Sequence, residues 1–363
     1  MLEPDRLARD RSAIKVAAIP PGQALGPDFA RLFNASDATA FQHPAWLDTF
    51  YRTLAPARGA EPVLVTGHAG PVLVFLLPMI RRRLKGVTLL EAADLGVSDY
   101  CAPVVDPAWR GDIAAQAGLH SAVARACGPH DILRIRNIRP EHVPLWQLFL
   151  DASANRLDFS SHETALRSNY AEWSRASYSA SFAKYLKRRK NRFFRMDGAR
   201  LVRMSDPLCA AREIELLATL REGRFKGDMI AMDAVRRFYA EIAARGTTSG
   251  FAAIYRLELE GEPIGHVFGV EHAGRFHYLL IGCDYETHGR HSPGLLMYDA
   301  IIEERCREGG KVFDFTIGDE PFKTDFGTRA IPVHGMQKAL TLRGRMALAW
   351  QNFSRANAST ASQ

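Results

Sequence analysis

Between Gly282 and Gly327 the chain reads GCDYETHGRHSPGLLMYDAIIEERCREGGKVFDFTIGDEPFKTDFG, and several residues there have types and spacings suited to chemistry. Ser292-Pro293-Gly294-Leu295 joins a cap-type residue, a Pro fit for a first helical position and a residue without a side chain. A helix starting there presents free N–H groups and the positive end of its dipole, which suit a pyrophosphate. Arg290 and His291 precede it as a charged clamp. Asp319, Glu320 and Lys323 cluster after an expected strand, where open α/β sheets bind ligands. Within that strand, alternation turns Asp314 away from Phe313 and Phe315, and a carboxylate inside a buried strand is costly unless paired or used. A basic run, Lys184, Lys187, Arg188, Arg189, Lys190, Arg192 and Arg195, is interleaved with Phe182, Tyr185, Leu186, Phe193 and Phe194 at helical spacings. It reads as a helix anchored by one face and offering cations to an anionic partner. The plainer reading of all these residues is a capped helix, a solvated ion pair and a solvated helix face.

The order strand, loop with Arg-x-Ser-Pro-Gly, helix, strand and then TIGDEPFKTDFG resembles the bacterial GNAT acetyltransferases of the CelD/BcsL type, relatives of the Fem-like transferases. FQHPAWL at Phe41 to Leu47, SDYCAPV at Ser98 to Val104 and the basic helix extend the resemblance over most of the chain. It implies tandem GNAT-like units and direct acyl transfer from acetyl-CoA, or another acyl-CoA, to an amino or hydroxyl group. It also implies a sugar or exopolysaccharide precursor as acceptor and no metal. Arg290, His291, Ser292, Gly294 and Leu295 would then hold the CoA pyrophosphate. Two departures stand out. The loop has Gly289 and Gly294 around Arg290 where many members carry Q/R-x-x-G-x-G/A, and Phe322 stands where Tyr is frequent.

Acyl transfer from a thioester needs a base for the acceptor, donors for the carbonyl oxyanion and an acid for the departing thiolate. His266, Asp284, Asp314 and Glu320 are the candidate bases, and Tyr298 or Tyr278 the candidate acids. Backbone N–H groups near the end of the strand Phe276 to Gly282 are the expected oxyanion donors. Gly265 and Gly269 clear the face opposite His266 for a close approach. Asp99, Tyr100, Arg224, Lys226, Asp319 and Lys323 are expected around the acceptor. The alternatives are a Fem-like transferase using aminoacyl-tRNA, which the basic helix suits, and a non-catalytic accessory protein of polysaccharide synthesis.

Two mixed α/β units are needed to position these residues, each a mainly antiparallel sheet flanked by helices. Residues 1–22 read as an irregular lead, 23–165 as a first, degenerate GNAT-like unit, 166–350 as the catalytic unit and 351–363 as a disordered tail. The first unit offers a helix from Pro44 to Leu54, strands at Val63 to Gly67, Val72 to Arg81, Val87 to Ala92 and Asp131 to Ile138, and a helix from about Ile113 to Ala126. In the second, a basic helix, a strand and two helices lead into a meander with turns at Glu260-Gly261 and Ala273-Gly274. The polar stretch Asp151 to Tyr170 separates the units. Val-Leu-Val-Thr-Gly-His-Ala-Gly-Pro-Val-Leu-Val-Phe and Arg-Leu-Glu-Leu-Glu-Gly-Glu-Pro-Ile-Gly-His-Val-Phe share a strand-turn-strand pattern, the trace of a duplication.

At 363 residues, 47% hydrophobic and 24% charged, the chain has the composition of a globular protein of two domains. A net charge of +7 predicts attraction to anions in general. Five scattered cysteines without a C-x-x-C pair indicate neither a disulfide framework nor a zinc site. The charged N-terminal sequence and the absence of a long apolar run predict a cytoplasmic protein without a transmembrane segment.

Overall fold

The computed structural model describes residues 13–224 and 227–360. Among them, thirteen strands make one continuous sheet. The strands are β1 (Lys15–Ile19), β2 (Glu61–Ala69), β3 (Val72–Leu84), β4 (Val87–Ala92), β5 (Val104–Val105), β6 (Ile132–Ile138) and β7 (Ala154–Ala165). They continue with β8 (Arg200–Arg203), β9 (Ala252–Leu259), β10 (Glu262–His272), β11 (Arg275–Cys283), β12 (Val312–Ile317) and β13 (Arg329–Ala339). Their spatial order is β1-β2-β3-β4-β6-β13-β7-β12-β11-β10-β9-β8, with β5 against β3. Most neighbours run antiparallel; β4 with β6 and β11 with β12 run parallel. Lys85-Gly86, Glu260-Gly261 and Ala273-Gly274 all take positive φ at both residues. That backbone matches the right-handed twist of the strands they join, and it sets three tight hairpins.

The two halves are interleaved at the centre. β13 lies between β6 and β7, and β7 between β13 and β12, so each half lends its last strand to the other. Helices cover both faces. On one face, elements of both halves share a single core, in which the buried Trp46 meets the Phe238 ring edge-on at 4.9 Å. On the other face each half has a separate core, around Phe75, Trp146 and Phe149 in the first and around Trp173, Phe193 and Phe313 in the second.

Three strands fall where none was expected. β1 crosses the supposed lead, β7 the polar stretch 151–170 and β13 the segment after the last expected strand. β7 is polar because it lies at the seam, where Glu163 takes Arg139 at 3.0 Å and Arg329 at 3.1 Å in place of apolar packing. β13 contains Pro332, and its register shifts just beyond it, between Pro332 and His334 against β7 and between His334 and Met336 against β6. The expected tail from 351 instead continues a helix, Leu342–Thr360. Residues 1–12 and 361–363 lie outside the described residues.

Candidate active site

The site begins where two parallel strands part. β11 and β12 pair through Arg275 with Val312, Phe276 with Phe313 and His277 with Asp314, and then diverge. Thr316 causes the divergence. It takes φ +57, rare for a β-branched residue, and β12 loses its register with β7 between Asp314 and Ile317. Its hydroxyl donates to the Tyr278 carbonyl at 3.0 Å, pinning the apex. Beyond that point the edge of β11 turned toward β12 has no strand partner among the described residues. A cavity of about 580 Å³ fills the wedge, walled by Tyr278 and Leu279 from β11 and by Phe315 and Thr316 from β12.

The helix Pro293–Arg307 closes one end of this cavity with its N-terminus. Ser292 occupies the cap position in the left-handed conformation, φ +57, and its side chain does not cap. Its hydroxyl lies instead 2.9 Å from the Tyr185 hydroxyl on the basic helix Ala180–Phe193. The first amides of Pro293–Arg307 therefore keep the orphan donors that a helix end presents. Backbone strain of this kind concentrates at functional sites. Ser292, Gly294 and Leu295 line the cavity. A Cβ on Gly294 would come within 2.6 Å of the Tyr285 hydroxyl. The basic helix holds its position through Lys190, which donates to Asp299 and Glu303 at 2.6 Å each. Lys184, Lys187, Arg188 and Arg192 remain exposed, without an ion-pair partner among the described residues. Arg189 and Arg192 lie close enough to His291 to add to the burial that lowers its pKa, and they make the mouth positive. An N-terminal amide cradle edged by cations fits a pyrophosphate.

Asp99 comes from the first half, half-buried in the cavity wall. Burial raises its carboxyl to about 7, against the pull of the Thr316 hydroxyl and the Lys323 ammonium. Across the cavity stand two phenols. The Tyr298 ring meets Tyr278 edge-on at 5.0 Å and stacks on Phe322 at 5.3 Å. Burial drives both pKa values up, so both stay protonated as donors. Lys323 is buried, and its ammonium donates to the carbonyls of Ile317 at 2.9 Å and Gly318 at 2.8 Å. Glu320 answers it at 2.9 Å from the solvent side.

The remaining sequence candidates lie elsewhere. His266 is buried on β10 with its Nδ1 2.8 Å from Glu213, and it does not line the cavity. The space cleared by Gly265 and Gly269 is filled by the protein itself, Cys283 and Met297 at the first and Phe276 at the second. Asp284 accepts from the Thr287 amide at 2.9 Å and caps the short helix Tyr285–His288. Asp314 is fully buried at the seam, accepting from the Tyr100 hydroxyl at 2.9 Å, the Thr316 amide at 2.8 Å and Arg275 at 3.0 Å. Asp319 sits 2.9 Å from His162, which lowers its pKa. Arg290 turns back onto His291 at 3.1 Å, outside the cavity lining. Arg224 covers the Tyr285 ring at 4.3 Å, and Lys226 lies outside the described residues. Three polar wall residues escaped sequence reading: Thr316, Tyr285 and Arg221, whose guanidinium donates to the Ile281 carbonyl at 2.7 Å.

The first half repeats the geometry without the space. β4 and β6 pair in parallel over three residues and part at Asn137, φ +55, the counterpart of Thr316. There the chain lies in its own opening: the Cys101 backbone amide donates to the Asn137 carbonyl at 2.9 Å, and the Asn137 side-chain amide donates to the Ser98 carbonyl at 3.0 Å. That same segment carries Asp99 and Tyr100 across to the second half.

Residues 180–324 match the family described as acetyltransferase (GNAT) domain. The span includes the basic helix, the wedge and the helix mouth, and the match supports acyltransferase activity. Solved structures share the fold over nearly the whole chain. FemX is 12% identical over 90% of this chain and 97% of its own, with a TM-score of 0.62. L-PGS from Bacillus licheniformis is 13% identical over 89% and 96%, at 0.57. A tandem GNAT protein from the clavulanic acid biosynthesis pathway is 12% identical over 90% and 98%, at 0.51. No curated protein matches.

Proposed function

We propose that this protein transfers an acetyl group from a CoA thioester directly to an amine or hydroxyl, with the wedge between β11 and β12 as the donor site. The uncapped N-terminus of Pro293–Arg307 opening into that wedge carries the proposal. The amides of Gly294 and Leu295 would hold the pyrophosphate, and the open edge of β11 the extended arm. CoA supplies an activated acyl group as a thioester. The chain's own residues manage the protons. Asp99, poised near neutrality, takes one from the acceptor nucleophile, and Tyr298 or Tyr278 returns one to the departing sulfur. Asp99 thereby moves from an acceptor-binding role to that of base, because it is the wall carboxylate without a strong ion pair. A sugar or polysaccharide precursor as acceptor, and the CelD/BcsL type, rest on sequence resemblance alone.

An aminoacyl-tRNA donor is the second reading, favoured by the exposed cations of Ala180–Phe193 beside the same mouth. Counterion release would make such binding fall steeply with salt. Thiol release from acetyl-CoA across a panel of amino sugars, set beside filter binding of tRNA at two salt concentrations, separates the two. Thiol release that depends on an acceptor supports the first; salt-sensitive tRNA binding without thiol release replaces it with the second.

A further inference from the structure

On the first half, the helix Leu342–Thr360 lies over the sheet beside the β3–β4 hairpin. Gly344, Ala347 and Leu348 face inward. Leu342, Met346, Trp350 and Phe353, spaced by four, four and three residues, form one outward stripe and are 74%, 66%, 72% and 61% exposed. With Leu84 at the hairpin tip and Leu340, they are six of the nine large hydrophobic residues exposed among those described. Clustering of this kind marks an interaction surface rather than ordinary scatter. Beside the stripe a groove of about 580 Å³ runs between helix and sheet, lined by Leu84, Val87, Leu89, Ile132, Leu348 and Trp350.

The exposed charge without an ion-pair partner around this surface, among the described residues, has one sign. Arg83 and Lys85 stand at the hairpin tip and Arg343 and Arg345 on the helix, none with an ion-pair partner among the described residues. Arg343 donates to the Gly86 carbonyl at 3.4 Å, joining the two elements. The sequence has no Asp or Glu from 326 to 363. Nearby acids are engaged: Asp131 accepts from Thr341 at 2.6 Å and from the Thr88 amide at 2.9 Å, and Glu91 binds Arg82 and Arg134.

We infer that this face docks on an anionic lipid surface, the stripe entering the headgroup boundary while the arginines meet lipid phosphates. A helix with an apolar Trp-bearing face and flanking cations has the physics of an interfacial anchor, and apolar contact plus a basic patch supplies the two signals that stable attachment needs. No helix among the described residues is long and apolar enough to cross a membrane. This surface is separate from the wedge, and the inference does not depend on the reaction.

The test is co-sedimentation of the full chain with vesicles of phosphatidylcholine alone or of three parts phosphatidylcholine to one of phosphatidylglycerol. Binding is expected only to the anionic vesicles, with a blue shift of tryptophan emission and loss at high salt. The Trp350→Ser/Phe353→Ser and Arg343→Glu/Arg345→Glu variants should each weaken it about tenfold or more, with unchanged unfolding transitions. Equal binding to both vesicle types, undiminished binding by the variants, or a doubled mass in light scattering that Trp350→Ser/Phe353→Ser abolishes would each overturn the inference. The last would assign the stripe to a second copy of this chain.

Discussion

At the scale of single residues, Asp99 separates the proposed chemistry from the architecture. A base must be deprotonated to act, and burial raises this carboxyl to about 7, so kcat/KM should rise with pH through that value. Asp99→Asn should lower the rate by about 10²–10⁴-fold and remove that limb of the profile. Asp314 makes the contrasting case. Its carboxylate is fully buried between Tyr100 and Arg275, so Asp314→Asn should cost stability, about 3–5 kcal/mol in urea unfolding, with little change in kcat of the folded enzyme. The two phenols lie side by side. Tyr298→Phe/Tyr278→Phe together should therefore lower the rate at least as far as the slower single variant, and a double variant as fast as wild type would remove both as the acid. Asp314 draws notice in the sequence as a charge inside a strand, whereas Asp99 lies in an irregular loop, and only the fold sets that loop in the wall of the second half's cavity.

At the scale of elements, the expected meander β9–β11, the helix after Ser292 and the strand after it all form, because their alternation and glycine turns agree with their final surroundings. The seam strands β7 and β13 were illegible. β7 satisfies itself with ion pairs, and β13 keeps a Pro at a bulge, so neither shows the apolar alternation of a central strand. The helix mouth was legible, but its mechanism was not. Ser292 looked like a cap, yet its hydroxyl goes to Tyr185 and the amides stay open. The basic helix is tied to that mouth, and its exposed cations should act on donor binding. Lys184→Glu/Arg188→Glu/Arg192→Glu should raise KM for the acyl donor about tenfold or more at low salt, leave kcat unchanged, and lose its effect as salt rises.

At the scale of the whole molecule, the exchange of β7 and β13 makes the halves interdependent. A chain ending before Arg329 loses the strand between β6 and β7 and opens the sheet in its middle. The intact protein should unfold in one transition, and residues 166–350 alone should not fold; two transitions, or a folded fragment, would contradict this. The interleaving also gives the two halves a division of labour. Both halves keep a parallel pair that parts at a residue of positive φ, but the first fills its opening with 98–101 and uses that segment to furnish the second. The central claim is that the open wedge holds an acyl-CoA, and the direct measurement is thermal unfolding with and without acetyl-CoA, for the wild-type chain and for Gly294→Leu. At about 100 times the dissociation constant, the ligand should stabilise the native protein by roughly 2.7 kcal/mol, and Gly294→Leu should abolish the shift while remaining folded. No shift at saturating acetyl-CoA, or an equal shift in the variant, would contradict it.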